Sequence, residues 1–175
     1  MDDWSQYLTT RTGFWFHVRP ACPADEGTLA GFFTHVTRDD LRFRFLTGLD
    51  EVGHDRVAEL VTIDHKCTEN FLAFDLHGSM MIATAKLACD PGLDRGEVAV
   101  CIRKDFKHCG IGRELPADIA HFAEVKGVKT LESTEAHENH AAPELERDMG
   151  FTAEPYPGDS TLVLVRRTLD QVAHA

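Results

Sequence analysis

The hydrophobic positions of this chain switch between a period of two and a period near 3.6, and the switches predict its elements. Phe14-Trp15-Phe16-His17-Val18-Arg19 has the aromatic and β-branched character of a strand, which Pro20 and Pro23 close. Leu29, Phe32, Phe33 and Val36 fall at i, i+3, i+4 and i+7, one apolar helix face. Thr37 with Asp40 three residues later is an N-capping pattern, so a short second helix is expected to carry Leu41, Phe43 and Phe45. A third is expected over 55–63, with Val57, Leu60 and Val61 inward. Residues 70–76 and 80–88 read as strands joined by a hairpin at His77-Gly78-Ser79, and 95–103 as the next strand.

Ile111 to Lys126 repeats the helical spacing, with Leu115, Ile119 and Phe122 on one face and Gly127 as a left-handed terminator. A strand over 129–134 follows, then a helix capped by Asn139, with Pro143 in its first turn and Gly150 at its end. Strands near 151–155 and 161–167 complete the pattern. The order β-ααα-βββ-α-β-α-ββ predicts an α/β (α+β) fold, a mixed and mainly antiparallel central sheet of about seven strands flanked by helices on both faces. One domain over 14–170 is expected, preceded by a polar, aperiodic and flexible N-terminal arm at 1–13.

With 43% apolar and 27% charged residues, the 175-residue chain reads as one soluble globular domain. Its net charge of -11 is the wrong sign for a nucleic-acid partner and the right sign for cationic ligands. No segment approaches the ~20 apolar residues of a membrane span, and the acidic start Met1-Asp2-Asp3-Trp4 lacks a targeting pattern. A cytoplasmic protein without a membrane partner is therefore expected. Cys22, Cys67, Cys89, Cys101 and Cys109 form no CxxC pair, and His137-Glu138-x-His140 lacks the spacing that puts two imidazoles on one helix face. Reduced thiols and no metal follow.

Candidate chemistry concentrates in Lys107-His108-Cys109-Gly110-Ile111-Gly112, between a predicted strand and a predicted helix. Two glycines one residue apart let consecutive N–H groups converge, and the helix start adds its positive dipole end. Such a loop is either a tight turn that needs glycine or a pyrophosphate cradle. Arg103, Lys104, Lys107 and Arg113 against Asp105 make this the conspicuous basic patch of an acidic chain, which favours the cradle. Gly112 is followed by Arg113 and Glu114, so this is no Walker loop. The absent third glycine and the three strands before the loop exclude a dinucleotide-binding fingerprint.

Lys107-x-x-Gly110-x-Gly112 resembles the coenzyme A loop Q/R-x-x-G-x-G/A of the GNAT superfamily of N-acetyltransferases, with Lys for Gln or Arg at its head. The second signature of that family, Asn-x-x-Ala-x-x-Leu ending in Gly-Phe, is matched by Asn139, Ala142, Leu145, Gly150 and Phe151. Within the superfamily the chain is similar to the catalytic domain of bacterial Pat-type protein lysine acetyltransferases. The matching segments are Val18-Arg19-Pro20, Pro23-Ala24-Asp25-Glu26, Leu29, Phe32-Phe33, Leu41-Arg42-Phe43-Arg44-Phe45, Ile63-Asp64 and Gly96-Glu97-Val98-Ala99-Val100, and the similarity covers about residues 17–167.

The resemblance implies acetyl-CoA as cosubstrate and direct acetyl transfer to a primary amine, with a protein lysine as the leading acceptor. An alkyl ammonium must lose a proton before it attacks a thioester, and Glu97 stands at the position of the Pat general base. The resemblance maps pantetheine contacts onto Val98, Ala99, Val100, Cys101 and Ile102, with the Val100 N–H as donor to the thioester oxygen. It maps pyrophosphate contacts onto Lys107, His108, Cys109, Gly110, Ile111, Gly112 and Arg113. Asn139 would fix the pantetheine arm, cap a helix, or do both. Glu146 stands where several GNAT enzymes have a Tyr that protonates the leaving thiolate. His108 and Cys109 replace residues that relatives often have as Gly and Arg, and Pro116 falls early in the next helix. Two other readings stay open, a small-molecule amine such as a polyamine, amino acid or antibiotic, and a coenzyme A-binding regulatory domain that has lost turnover. An oligomer is permitted.

Overall fold

Eight strands build a single sheet in the order β1-β2-β3-β4-β5-β6-β8-β7 in the computed structural model, which describes residues 4–45, 51–138, 147 and 149–170. The strands are β1 (Gln6–Thr9), β2 (Trp15–Pro20), β3 (Thr68–Asp75), β4 (Met81–Cys89), β5 (Arg95–Ile102), β6 (Thr130–Ala136), β7 (Thr152–Pro155) and β8 (Leu162–Thr168). Every neighbouring pair is antiparallel except β5 and β6. Four helices are described: α1 (Glu26–Phe33), α2 (Arg38–Phe45), α3 (His54–Val61) and α4 (Ile111–Lys126). None of the described helices is long and apolar enough to cross a membrane.

The period of two decides which helix each strand residue meets. On β3, Phe71 and Ala73 join the core under α4, while Leu72 and Phe74 join the core under α1, α2 and α3. Both faces of β3 are thereby covered, and six of its eight residues are buried, the polar pair Glu69 and Asn70 followed by the apolar run Phe71 to Phe74. Helix α4 buries Ile111, Leu115, Ile119 and Ala123 and stops at Gly127, whose φ of 92° is the left-handed conformation expected there. Thr37 caps α2 as its spacing suggests, accepting the Asp40 N–H at 3.2 Å and donating to Asp40 Oδ2 at 2.7 Å. The helix expected from Asn139 lies almost wholly outside the described residues, although Gly150 at its expected end has a φ of 85°.

Part of the Val-Arg-Pro and Pro-Ala-Asp-Glu segment acts as scaffold. Arg19 donates to both carboxylate oxygens of the buried Asp25, at 2.7 and 2.8 Å, and Asp25 also accepts the Cys22 N–H at 2.8 Å. The paired guanidinium outweighs burial and holds the Asp25 carboxyl at about 2. This fork ties the end of β2 to the start of α1.

The N-terminus departs from expectation. Instead of a loose arm, residues 6–9 add β1 to the sheet edge, pairing Gln6 to Thr9 with Val18 to Trp15 and raising the strand count from about seven to eight. Four residues are too few to display a period, and an edge strand is held by its neighbour's ladder more than by its own hydrophobicity. Side chains add to that grip. The Trp4 ring meets Phe122 of α4 edge-on at 5.0 Å, its Nε1–H donates to Asp118 at 3.2 Å, and Gln6 Nε2 donates to the same carboxylate.

Asp118 is only 8% exposed, and burial raises its pKa despite the two donors. A folded pKa above the unfolded value means that the folded state binds this proton more tightly. The stabilisation is complete below the unfolded carboxylate range and is lost as pH rises through the folded value. Urea unfolding of Asp118→Asn across pH 3–7 is expected to lack this fall, and an unchanged pH profile would refute the account.

Candidate active site

Sheet pairing between β5 and β6 lasts for three residues, from Arg95/Thr130 to Glu97/Glu132, and goes no further. Beyond that rung β5 stays bonded to β4 on its other side, through Ile102. The gap between the two diverging strands is a cavity of about 530 Å3, lined by Val98 to Ile102 on one wall and by Leu131, Ser133, Thr134 and Glu135 on the other. Helix α2 adds Asp40, Phe43 and Arg44.

Ladder alternation fixes which way the β5 backbone points. Arg103 N–H donates to Ile82 at 2.8 Å and Asp90 N–H donates to Arg95 at 3.0 Å, so the odd-numbered residues of β5 exchange bonds with β4. The N–H groups of Val98, Val100 and Ile102 face the β6 side. Val98 lies against the last parallel rung, and Val100 carries the next N–H beyond it. The side chains of Val98 and Val100 belong to the α4 core, Cys101 to the opposite core, and Glu97 is exposed at the root of the gap.

At the other end of β5 the chain makes a short turn at Lys104–Phe106 and enters the glycine loop. Gly110 is the N-cap of α4, with φ 92° and ψ 0°, and its carbonyl accepts from Arg113 at 3.2 Å and Glu114 at 3.3 Å. No acceptor within the described residues takes the N–H groups of Gly110, Ile111 or Gly112. Three donors at a helix start, with Lys107 and Arg113 beside them, suit a diphosphate. Lys107 is engaged already, its Nζ 2.7 Å from Asp40 Oδ2 on α2. Pro116, the sixth residue of α4, has no N–H for the Gly112 carbonyl and lines the cavity itself.

Of the residues expected at the site, Glu97, Val98, Ala99, Val100, Cys101, Ile102, Lys107, His108, Gly110, Gly112 and Arg113 line this cavity together. Two do not. The Ile111 side chain is wholly buried under the sheet and Cys109 packs beside it, so what Ile111 can offer a ligand is its N–H. Asn139 lies outside the described residues. Sequence reasoning gave no site role to Asp40 and Arg44, one turn apart on α2, or to Ser133 and Glu135 on β6; no local pattern marks them, because the parting of β5 from β6 and the packing of α2 bring them to the cavity. All five cysteines are free thiols, and burial pushes Cys101 up to about 12 and Cys89 up to about 11.

This architecture is the GNAT fold. The GNAT domain of S. lividans PAT superposes with a TM-score of 0.87 at 21% identity, over 95% of this chain and 97% of that one. Spermidine N-acetyltransferase from Vibrio cholerae, solved with CoA and spermine, gives 0.72 at 16% identity, over 87% of this chain and 95% of that one. In sequence, the chain is 25% identical over 156 residues to Acetyltransferase PA5475 of Pseudomonas aeruginosa, 87% of this chain and 83% of that protein. No protein-family model matches the sequence.

Two substitutions test the loop. A Cβ at Gly110 would lie 2.9 Å from Thr10 Cβ and on a left-handed backbone, so Gly110→Ala is expected to weaken acetyl-CoA binding at least ~10-fold by calorimetry. His108 has a φ of 69°, a conformation glycine adopts freely. His108→Gly is expected to raise stability by about 0.5–1 kcal/mol in urea unfolding, the relief of left-handed strain less the added unfolded-state entropy. An unchanged or lower stability would show that the fold imposes no strain there.

Proposed function

We propose that the protein transfers the acetyl group of acetyl-CoA directly to a primary amine, with a protein lysine as the leading acceptor. The observation that carries this reading is the cavity between β5 and β6, with a diphosphate-suited helix start at one end and an exposed carboxylate, Glu97, at the other. Likeness to the GNAT domain of a PAT protein favours the lysine. A small polyamine is the second reading, supported by the net charge of -11 and by the likeness to an acetyltransferase solved with spermine. A cytoplasmic setting suits five free thiols.

In this reading the N–H groups of Gly110, Ile111 and Gly112 hold the diphosphate with Arg113. Lys107 joins them by exchanging Asp40 for phosphate. The β6-facing groups of Val98, Val100 and Ile102 run beside the pantetheine arm, which Asn139 helps to fix. Bound acetyl-CoA supplies a thioester, an acyl group already activated for attack by nitrogen. Glu97 takes the proton that an alkyl ammonium, with a pKa near ~10.4, must shed, directly or through a water. A new C–N bond forms as the C–S bond breaks, coenzyme A leaves as its thiolate, and the amine proton passes through Glu97 toward solvent or the thiolate. Val100 N–H donates to the carbonyl oxygen as negative charge builds there.

Release of free coenzyme A thiol from acetyl-CoA over a panel of amines tests this. Glu97→Gln is expected to lower kcat by roughly 10²–10³ with coenzyme affinity retained. Equal release from both proteins would remove Glu97 from the mechanism. Tight acetyl-CoA binding with no release on any amine would favour a coenzyme-sensing domain.

A further inference from the structure

Helix α2 crosses the cavity from its phosphate end to its acceptor end. Asp40 meets Lys107 of the glycine loop, and Arg44, one turn later, reaches the part of the cavity that Glu97 and Cys101 share. Arg44 is partly buried there, and its buried Nε meets no hydrogen-bond acceptor among the described residues. The Phe45 ring lies 5.0 Å from its Cζ, a contact that covers one face of the guanidinium and supplies no acceptor to Nε.

A guanidinium with a buried, unpartnered N–H calls for an anion. Cys101 does not supply one, since burial keeps its thiol protonated, and Asp40 is already bound by Lys107 and Thr37. Glu97 acts on Arg44 through space but forms no described ion pair with it. A simple amine docking at Glu97 would bring a second cation beside Arg44, whereas an amine that carries its own carboxylate would match both residues at once.

We propose that the acceptor bears a carboxylate close to its reactive amine and that Arg44 receives this carboxylate while Glu97 faces the amine. The proposal rests on the acetyl-transfer reading and specifies its acceptor. Two sources share this chemistry, a free amino acid and an acidic side chain beside a peptide lysine.

The test compares matched acceptors in the thiol-release assay: lysine against cadaverine, and acetyl-Glu-Lys-amide against acetyl-Gln-Lys-amide. In the wild-type protein the carboxylate member of at least one pair is expected to have a kcat/KM ~10-fold or more above its mate, and the pair that responds identifies the source. In Arg44→Gln that ratio is expected to fall toward one, with Arg44→Lys between. Release without preference in either pair overturns the proposal alone, as does a preference that survives in Arg44→Gln. No release from any amine overturns the transfer reading and this proposal together. A second measurement needs no variant: hexanoate, with a carboxylate and no amine, is expected to compete with the acceptor, and hexan-1-ol is not. Equal behaviour of the two overturns the proposal.

Discussion

The arrangement of this protein depends on where one ladder ends. Strands β5 and β6 pair for three residues and then separate, and the cost of separating them is a row of backbone groups on β5 with no strand opposite. Those groups stay ordered because β4 holds the other edge of β5 through Ile102. A parallel pair of strands that parts in this way makes its own polar cleft, with donors spaced along one wall at strand intervals and without side chains having to supply them. The two helical layers then act as clamps: α4 buries Ile111 and Leu115 against one face, and α1 to α3 bury Leu29, Phe32 and Leu60 against the other.

Charge follows the same geometry. In a chain of net charge -11, basic groups gather at the mouth of the cleft nearest the start of α4, and the carboxylate of Glu97 sits at its root. Helix α2 spans the two. Its Asp40 neutralises Lys107, and its Arg44 brings a cation to the acidic end. Charged side chains of both signs therefore line the cleft from the start of α4 to its root.

Much of this was legible in the sequence where local rules act alone. The limits of α4 agree to the residue, because a glycine stands at each end and the apolar spacing is regular between them. The hairpin at Gly78 and the cap at Thr37 were legible for the same reason. The glycine loop gained meaning from its distance to Glu97 and Asn139, a register that a single turn motif lacks. What escaped was non-local. Strand β1 takes its conformation from the edge of β2, and Arg44 acquires interest only through a buried Nε that meets no acceptor among the described residues. Arg19 and Asp25 were visible as part of a resemblance, yet their partnership is a fork at the mouth of α1, and neither residue lines the cavity.

The contact between Thr10 and Gly110 gives the N-terminal strand a significance beyond edge cover. Thr10 occupies the volume that any side chain at Gly110 would need, so residues 4–10 form one side of the mould in which the glycine loop is cast. Trp4 and Gln6 anchor that mould to α4 through Asp118. A shortened chain starting at Phe14, where the hydrophobic pattern begins, would keep the sheet's centre and lose this wall. The smallest unit able to shape the loop thus begins upstream of the first recognisable strand.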